Sequence, residues 1–183
     1  MNPPSTPRDL PEEWAKVEQE QEAVFDIKVV SVTADTVVYR DEALASQHNN
    51  ETLRFFFATR LSLEPAVGHS GPLRQLIQDR ADVGFRQELR ERGFTDINRL
   101  GTTDIEHESG NRATRVARYD STVELGDSQV SAVGLAGVWE GEDGEFGFAG
   151  GAYPTAIDRE TPDWLDSDSM EDELLNLIAQ TTL

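Results

Sequence analysis

One stretch in the second half of the chain restricts the fold more than any other. Val130, Ala132, Ala136 and Val138 alternate onto one face of an extended segment, and Val133, Leu135 and Trp139 onto the other. A strand that is apolar on both sides must lie inside a sheet that is covered on both faces. Its neighbours, roughly 95–106, 112–125 and 145–152, also read as strands. The segments between them are Ser109-Gly110-Asn111, Gly126-Asp127 and Gly141-Glu142-Asp143-Gly144. Turns this short join antiparallel strands, so the second half is expected to be an antiparallel meander.

The first half supplies the partners. Leu53, Phe55, Phe57, Leu61 and Leu63 alternate with Arg54, Phe56, Ala58, Arg60 and Ser62, as in a strand with one face on the core. After a loop from Pro65 to Gly71, Leu73, Leu76, Ile77, Ala81, Phe85 and Leu89 form a helical stripe. Pro72 stands near its start, and Arg92-Gly93-Phe94 supplies a stop. Gly84 falls within the stripe and is read as a point of close approach to the sheet. Upstream, Pro11-Glu12-Glu13-Trp14 is expected to open a short helix to about Glu22, with Pro11 at its first position. Val24–Val32 and Thr36–Arg40 read as strands joined by a hairpin at Thr33-Ala34-Asp35. Residues 41–51 read as a polar loop marked by Asn49-Asn50. A C-terminal amphipathic helix is expected near Glu171–Gln180, with Ser169 as its cap and Leu174, Leu177 and Ile178 as its stripe.

The expected fold class is α+β: a curved, mostly antiparallel sheet of six to seven strands, one long helix on one face, and short terminal helices. Residues 1–11, with four prolines, read as a flexible arm, 12–157 as a single domain, and 158–183 as an acidic segment carrying the last helix. The order of Leu53–Leu63, a loop, the helix to Gly93 and a run of antiparallel strands resembles the Mog1/PsbP-like α-β-α sandwich. That resemblance covers roughly residues 24–153, rests on element order alone, and implies a fold and hardly any function.

Charge determines the surroundings in which such a chain can stay compact. It carries 16 basic and 35 acidic residues, a net charge of −19. Self-repulsion on this scale favours expansion. Leu, Val, Ile and Phe nevertheless make up about a quarter of the residues, above the roughly 20% below which disorder is the default. Only Lys16 and Lys28 are lysines; the other basic residues are arginines. Arginine is weakly hydrated and pairs bidentately with carboxylates, and at molar salt the Debye length falls to about 3 Å. The composition resembles that of haloarchaeal cytosolic proteins, and the chain as a whole looks like one of them. An acidic interaction protein in ordinary salt is the alternative, although its acids would be expected in a block. With no basic cluster, a nucleic-acid partner is not expected. There is no cysteine, no apolar leader at the N-terminus and no window of transmembrane length, so a cytoplasmic location away from membranes is expected.

No catalytic constellation, metal site or cofactor motif stands out. His48, His69 and His107 share no ligand spacing. His69, in Gly68-His69-Ser70-Gly71, would sit at the positive end of the long helix, where a histidine and backbone amides suit an anion. The acids Glu140, Glu142, Asp143 and Glu145, and Asp166, Asp168, Glu171 and Asp172, are oxygen ligands suited to a hard cation, but they do not follow the EF-hand spacing. Gly147-Phe148-Ala149-Gly150-Gly151 lacks the following helix of a phosphate loop and is read as a bulge or an edge where a backbone or ligand approaches. Arg54, Arg60 and Arg115 need partners if buried. Arg115, with Tyr119 and Trp139, is the candidate ligand pocket for an anionic or apolar molecule. The leading expectation is a non-enzymatic protein-binding or assembly factor. It would meet a protein partner or a second copy through a sheet face, an edge strand, or Leu174-Leu175 with Leu177-Ile178. The alternative is a small-molecule pocket protein, which leaves room for an enzyme.

Overall fold

The computed structural model describes residues 2–27, 30–49, 53–108, 114–142 and 144–183. The expected turn Ser109-Gly110-Asn111, and Lys28, Asn50, Ala113 and Asp143, lie outside the described residues. The elements run β1 (Trp14–Ile27), β2 (Val30–Asp41), α1 (Glu42–His48), β3 (Phe55–Glu64), α2 (Gly71–Glu91), β4 (Thr95–Ile105), β5 (Thr114–Leu125), β6 (Ser128–Glu140), β7 (Glu145–Ile157) and α3 (Ser167–Gln180). The fold is α+β, as expected. Its seven strands form one sheet in the order β1-β2-β3-β7-β6-β5-β4, and every neighbouring pair is antiparallel.

Both faces of the sheet are covered, as β6 requires. On one face, Phe85 and Leu89 of α2 pack with Phe55, Phe57, Tyr119 and Ala136. On the other, Leu174, Leu177 and Ile178 of α3 pack with Phe56, Ala58, Leu135, Trp139 and Tyr153. β3 therefore buries both its faces, Phe55 and Phe57 under α2 and Phe56 and Ala58 under α3. Glu171 anchors α3 to the sheet by accepting from Arg118 and from the Tyr153 hydroxyl at 2.6 Å. Burial pushes the Glu171 carboxyl up, but those two donors outweigh it and hold the group below its ordinary range. Among the described residues, no helix is long and apolar enough to cross a membrane.

Five local expectations are corrected. The segment expected to form a helix from Pro11 to Glu22 is mostly the edge strand β1, whose residues pair with β2 from Trp14↔Asp41 to Ile27↔Val30. Glu and Gln favour helices by propensity, but the ladder with β2 overrides that preference. Thr33-Ala34-Asp35 is not a hairpin turn. It lies within β2, paired on one side with Ala23, Glu22 and Gln21 and on the other with Ser62, Leu61 and Arg60. The polar stretch after Asp41 is a short helix: the Asp41 side chain accepts the Leu44 amide, and Asn49 closes the helix with φ 48°. The proline-rich arm is docked, with Pro4 and Pro7 buried, the Ser5 amide on the Thr182 carbonyl at 2.9 Å and Thr6 on the Tyr39 hydroxyl at 3.0 Å. At the other end, α3 begins earlier than expected because Asp166, not Ser169, is its cap.

Candidate functional site: a groove beneath the long helix

α2 lies close to the sheet at Phe85 and Leu89 but leaves space toward β1 and β2. The space is a groove of about 640 Å³ between the helix and strands β1, β2 and β3, with Phe148 of β7 at its inner side. Its roof is one stripe of the helix, Ile77, Ala81, Gly84 and Glu88, at spacings of three and four residues. Its floor carries Ala34, Thr36 and Val38 of β2 and Phe57, Thr59 and Leu61 of β3. The Thr36 and Thr59 hydroxyls hydrogen-bond each other at 2.9 Å across the floor.

Gly84 keeps the roof thin. No atom lies within 4 Å of where its Cβ would be. Close approach to the sheet therefore does not account for this glycine. Glycine in a helix interior costs roughly 0.5–1 kcal/mol relative to alanine, and here the space it leaves opens onto the groove.

The outer wall is acidic, and a bulge makes it so. Lys16 pairs with Tyr39 and Glu18 with Val38, which leaves Val17 as an extra residue on β1. The bulge reverses the parity of the strand. Trp14, before it, packs on the α3 side, whereas Glu18, Glu20 and Glu22, after it, line the groove on the α2 side. Burial, then the charges of Glu18 and Glu22 beside it and of Glu88 across the groove, push the Glu20 carboxyl above its ordinary range. Val24, a second bulge residue, and Val83 of α2 are exposed apolar side chains at the groove. The groove thus pairs an apolar interior with an acidic mouth.

The residues singled out from the sequence are not gathered into one place. Arg115 is exposed and donates to Asp104 at 3.3 Å. Tyr119 is buried beneath α2, with its hydroxyl on Asp82, and burial followed by that bond pushes the phenol upward. Trp139 is buried on the opposite face among the α3 contacts, its ring tilted against that of His107 with centroids 4.2 Å apart. The alternation of strands separates the tryptophan from the other two. His69 ties the start of α2 to β7: its Nε2 is 2.9 Å from the Glu145 carbonyl oxygen, and its ring meets Phe146 edge-on. Its Nδ1 lies 3.9 Å from a Glu140 carboxylate oxygen, so both ring nitrogens are near oxygens of the protein. The His48 ring lies tilted against Trp164, with centroids 4.5 Å apart.

The remaining candidates serve the architecture. Arg54 is buried and reaches Asp41 at 2.9 Å and Glu173 at 2.7 Å, with its guanidinium over Trp14. Arg60 pairs with Glu145 and Arg74 with Glu140, so two acids of the β6–β7 hairpin are held by arginines. Among the described residues, no three His, Asp or Glu side chains are grouped to hold a metal ion. The glycine-rich run lies in β7, at the centre of the sheet and not at an edge. A Cβ on Gly147 would fall 2.0 Å from the Trp139 ring, and one on Gly151 2.1 Å from the Phe55 carbonyl oxygen. Leu174, Leu177 and Ile178 are buried and offer no surface to a partner.

The acidic wall and Gly84 were missed from the sequence as features of a site. Glu18, Glu20 and Glu22 carry a period-two signal, but it lay inside a segment read as helix. Residues 3–182 match the model of DUF6517, a domain of unknown function. The chain belongs to the DUF6517 family. No curated protein and no solved structure matches it. The DUF6517 match spans nearly the whole chain, including β1, α2 and the strands that floor the groove.

Proposed function

We propose that this DUF6517 protein is a non-enzymatic binding protein and that its binding site is the groove beneath α2, which takes a ligand with an apolar body. The observation that carries this reading is the space itself. About 640 Å³ is left between a helix and a sheet that elsewhere pack closely, a volume within the range of small-molecule sites. Gly84 supports it, because a helix that forgoes a side chain over an opening gives up stability where nothing in the packing demands it.

The partner-binding alternative draws less support from the sheet edges. Both edge strands are interrupted by bulges, at Val17 and Val24 in β1 and at Leu100 in β4, and these residues are exposed. Bulges on an edge discourage the addition of another strand. The setting we propose is the cytoplasm of a salt-adapted cell, away from membranes and nucleic acid, on the strength of 35 acidic residues against two lysines and 14 arginines. The Mog1/PsbP-like resemblance is retained as a proposal about fold ancestry and carries no activity.

The test is titration with a neutral apolar dye such as Nile red in molar potassium chloride. Saturable binding is expected, with affinity reduced at least tenfold in Gly84→Leu, whose side chain would occupy the groove. Equal binding by a folded Gly84→Leu variant, or no saturable binding by the natural chain, would remove the groove as the site.

A further inference from the structure

The groove has a chemistry beyond its volume, and the inference drawn from it rests on the reading that the groove is a binding site. Glu18, Glu20 and Glu22 lie at alternate positions of one strand, so their carboxylates repeat roughly every 6.8 Å along the wall. None of the three has an ion-pair partner among the described residues. The groove is lined by five glutamates, these three with Glu88 and Glu91, and by only two arginines, Arg80 and Arg92. Arg92 is already committed, to Glu88 at 2.6 Å and over the Phe55 ring at 4.4 Å. The floor beneath the acidic wall is mostly apolar, and its two threonine hydroxyls share one hydrogen bond. An anion would meet repulsion here, and a sugar or other polyol would find only two hydroxyls on the floor, which already share one hydrogen bond.

We propose that the occupant is a linear aliphatic oligoamine, whose methylene segments lie along Val38, Phe57 and Leu61 while its ammonium groups meet Glu18, Glu20 and Glu22. Charge complementarity and spacing argue for it together. Ammonium groups separated by three or four methylenes are extended enough to meet successive carboxylates of a strand, and the hydrocarbon between them matches the floor. At molar salt, where screening reduces long-range attraction, contact pairs of this kind still form. The same cationic chemistry is presented by lysine side chains of a peptide. The free oligoamine is preferred because the groove is of small-molecule size.

The experiment is calorimetric titration of the full chain in molar potassium chloride with spermine, with acetylated trilysine amide and with Nile red. The same titrations are made on Glu20→Gln and on the triple variant Glu18→Gln, Glu20→Gln, Glu22→Gln. Spermine is expected to bind with saturation, to lose roughly two- to fivefold with Glu20→Gln and about tenfold or more with the triple variant. Coincident circular dichroism of the three proteins shows that the variants are folded, and Nile red is expected to lose much less affinity than spermine in the triple variant. Spermine binding that is unchanged in the triple variant overturns the proposal. So does tighter binding of the trilysine peptide, which would assign the groove to a protein segment. If Nile red binds and spermine does not, the groove stands and the oligoamine fails. If neither binds, the groove reading fails and takes this inference with it.

Discussion

Replacing Gly84 by alanine should stabilise this protein, and the amount can be worked from two features of the structure. Gly84 is an interior residue of the 21-residue helix α2. Alanine there narrows the unfolded chain's freedom and suits the helix better, a gain of roughly 0.5–1 kcal/mol. The usual offset is a clash, and none is present: nothing lies within 4 Å of the added carbon. For a chain of this length, 1 kcal/mol at the midpoint corresponds to roughly 2–4 °C. Gly84→Ala should therefore raise the melting temperature by about 1–4 °C, followed by circular dichroism at 222 nm in fixed molar salt, with a matching shift in a denaturant midpoint and an unchanged slope. Lowered stability by either method would refute the reasoning, since it would mean that the helix sits closer to the sheet at Gly84 than the open groove allows.

The same substitution in β7 should act in the opposite direction. Gly151→Ala places a carbon 2.1 Å from the Phe55 carbonyl oxygen, a backbone atom that cannot swing aside, and a loss of about 1–3 kcal/mol or more is expected by denaturant unfolding. Arg54→Met leaves buried Asp41 without its cation and should cost about 3–5 kcal/mol; a loss below 1 kcal/mol would mean that the pair with Asp41 and Glu173 is dispensable. Burial holds the His107 imidazole below its ordinary range. As pH falls below about 6.5 the unfolded chain takes up that proton first, so stability should fall, by at most about 1.4 kcal/mol per pH unit, until the folded imidazole titrates. His107→Phe keeps a ring against Trp139 and should flatten that slope between pH 6.5 and the carboxylate range; an unchanged slope would place the titration elsewhere. The net charge of −19 predicts loss of far-ultraviolet dichroism as potassium chloride is lowered well below molar, and an unchanged spectrum in dilute buffer would contradict salt adaptation.

What the sequence determined by itself is whatever depends on neighbours along the chain. The double-faced pattern of β6 placed it inside a covered sheet, and it lies there between β5 and β7 under α2 and α3. The α2 stripe with its proline start and glycine stop, the short turns at Gly126-Asp127 and after Glu140, and the apolar stripe of α3 are all local signals with a fixed period. Three of the residues expected in that last stripe, Leu174, Leu177 and Ile178, were legible as apolar. Whether they face a core or a partner was not, because that depends on what the sheet presents to them.

The tertiary structure decided the rest, because register and long-range pairing have no local signature. The stretch around Glu18, Glu20 and Glu22 has helical propensity and strand-like alternation together, and only hydrogen bonding to β2 settles it as a strand. The bulge at Val17 then determines which way the three carboxylates point, since one extra residue turns every following side chain to the other face. Tyr119 and Trp139 looked like neighbours because both are aromatic residues in adjacent strands, yet the register sends them to opposite sides of the sheet. Arg54 could be recognised as needing an acid, but Asp41 lies 13 residues away and Glu173 lies 119 away, a distance that only folding closes. The groove belongs wholly to this second category: it is a space left between α2 and three strands, and residues that line a space share no motif.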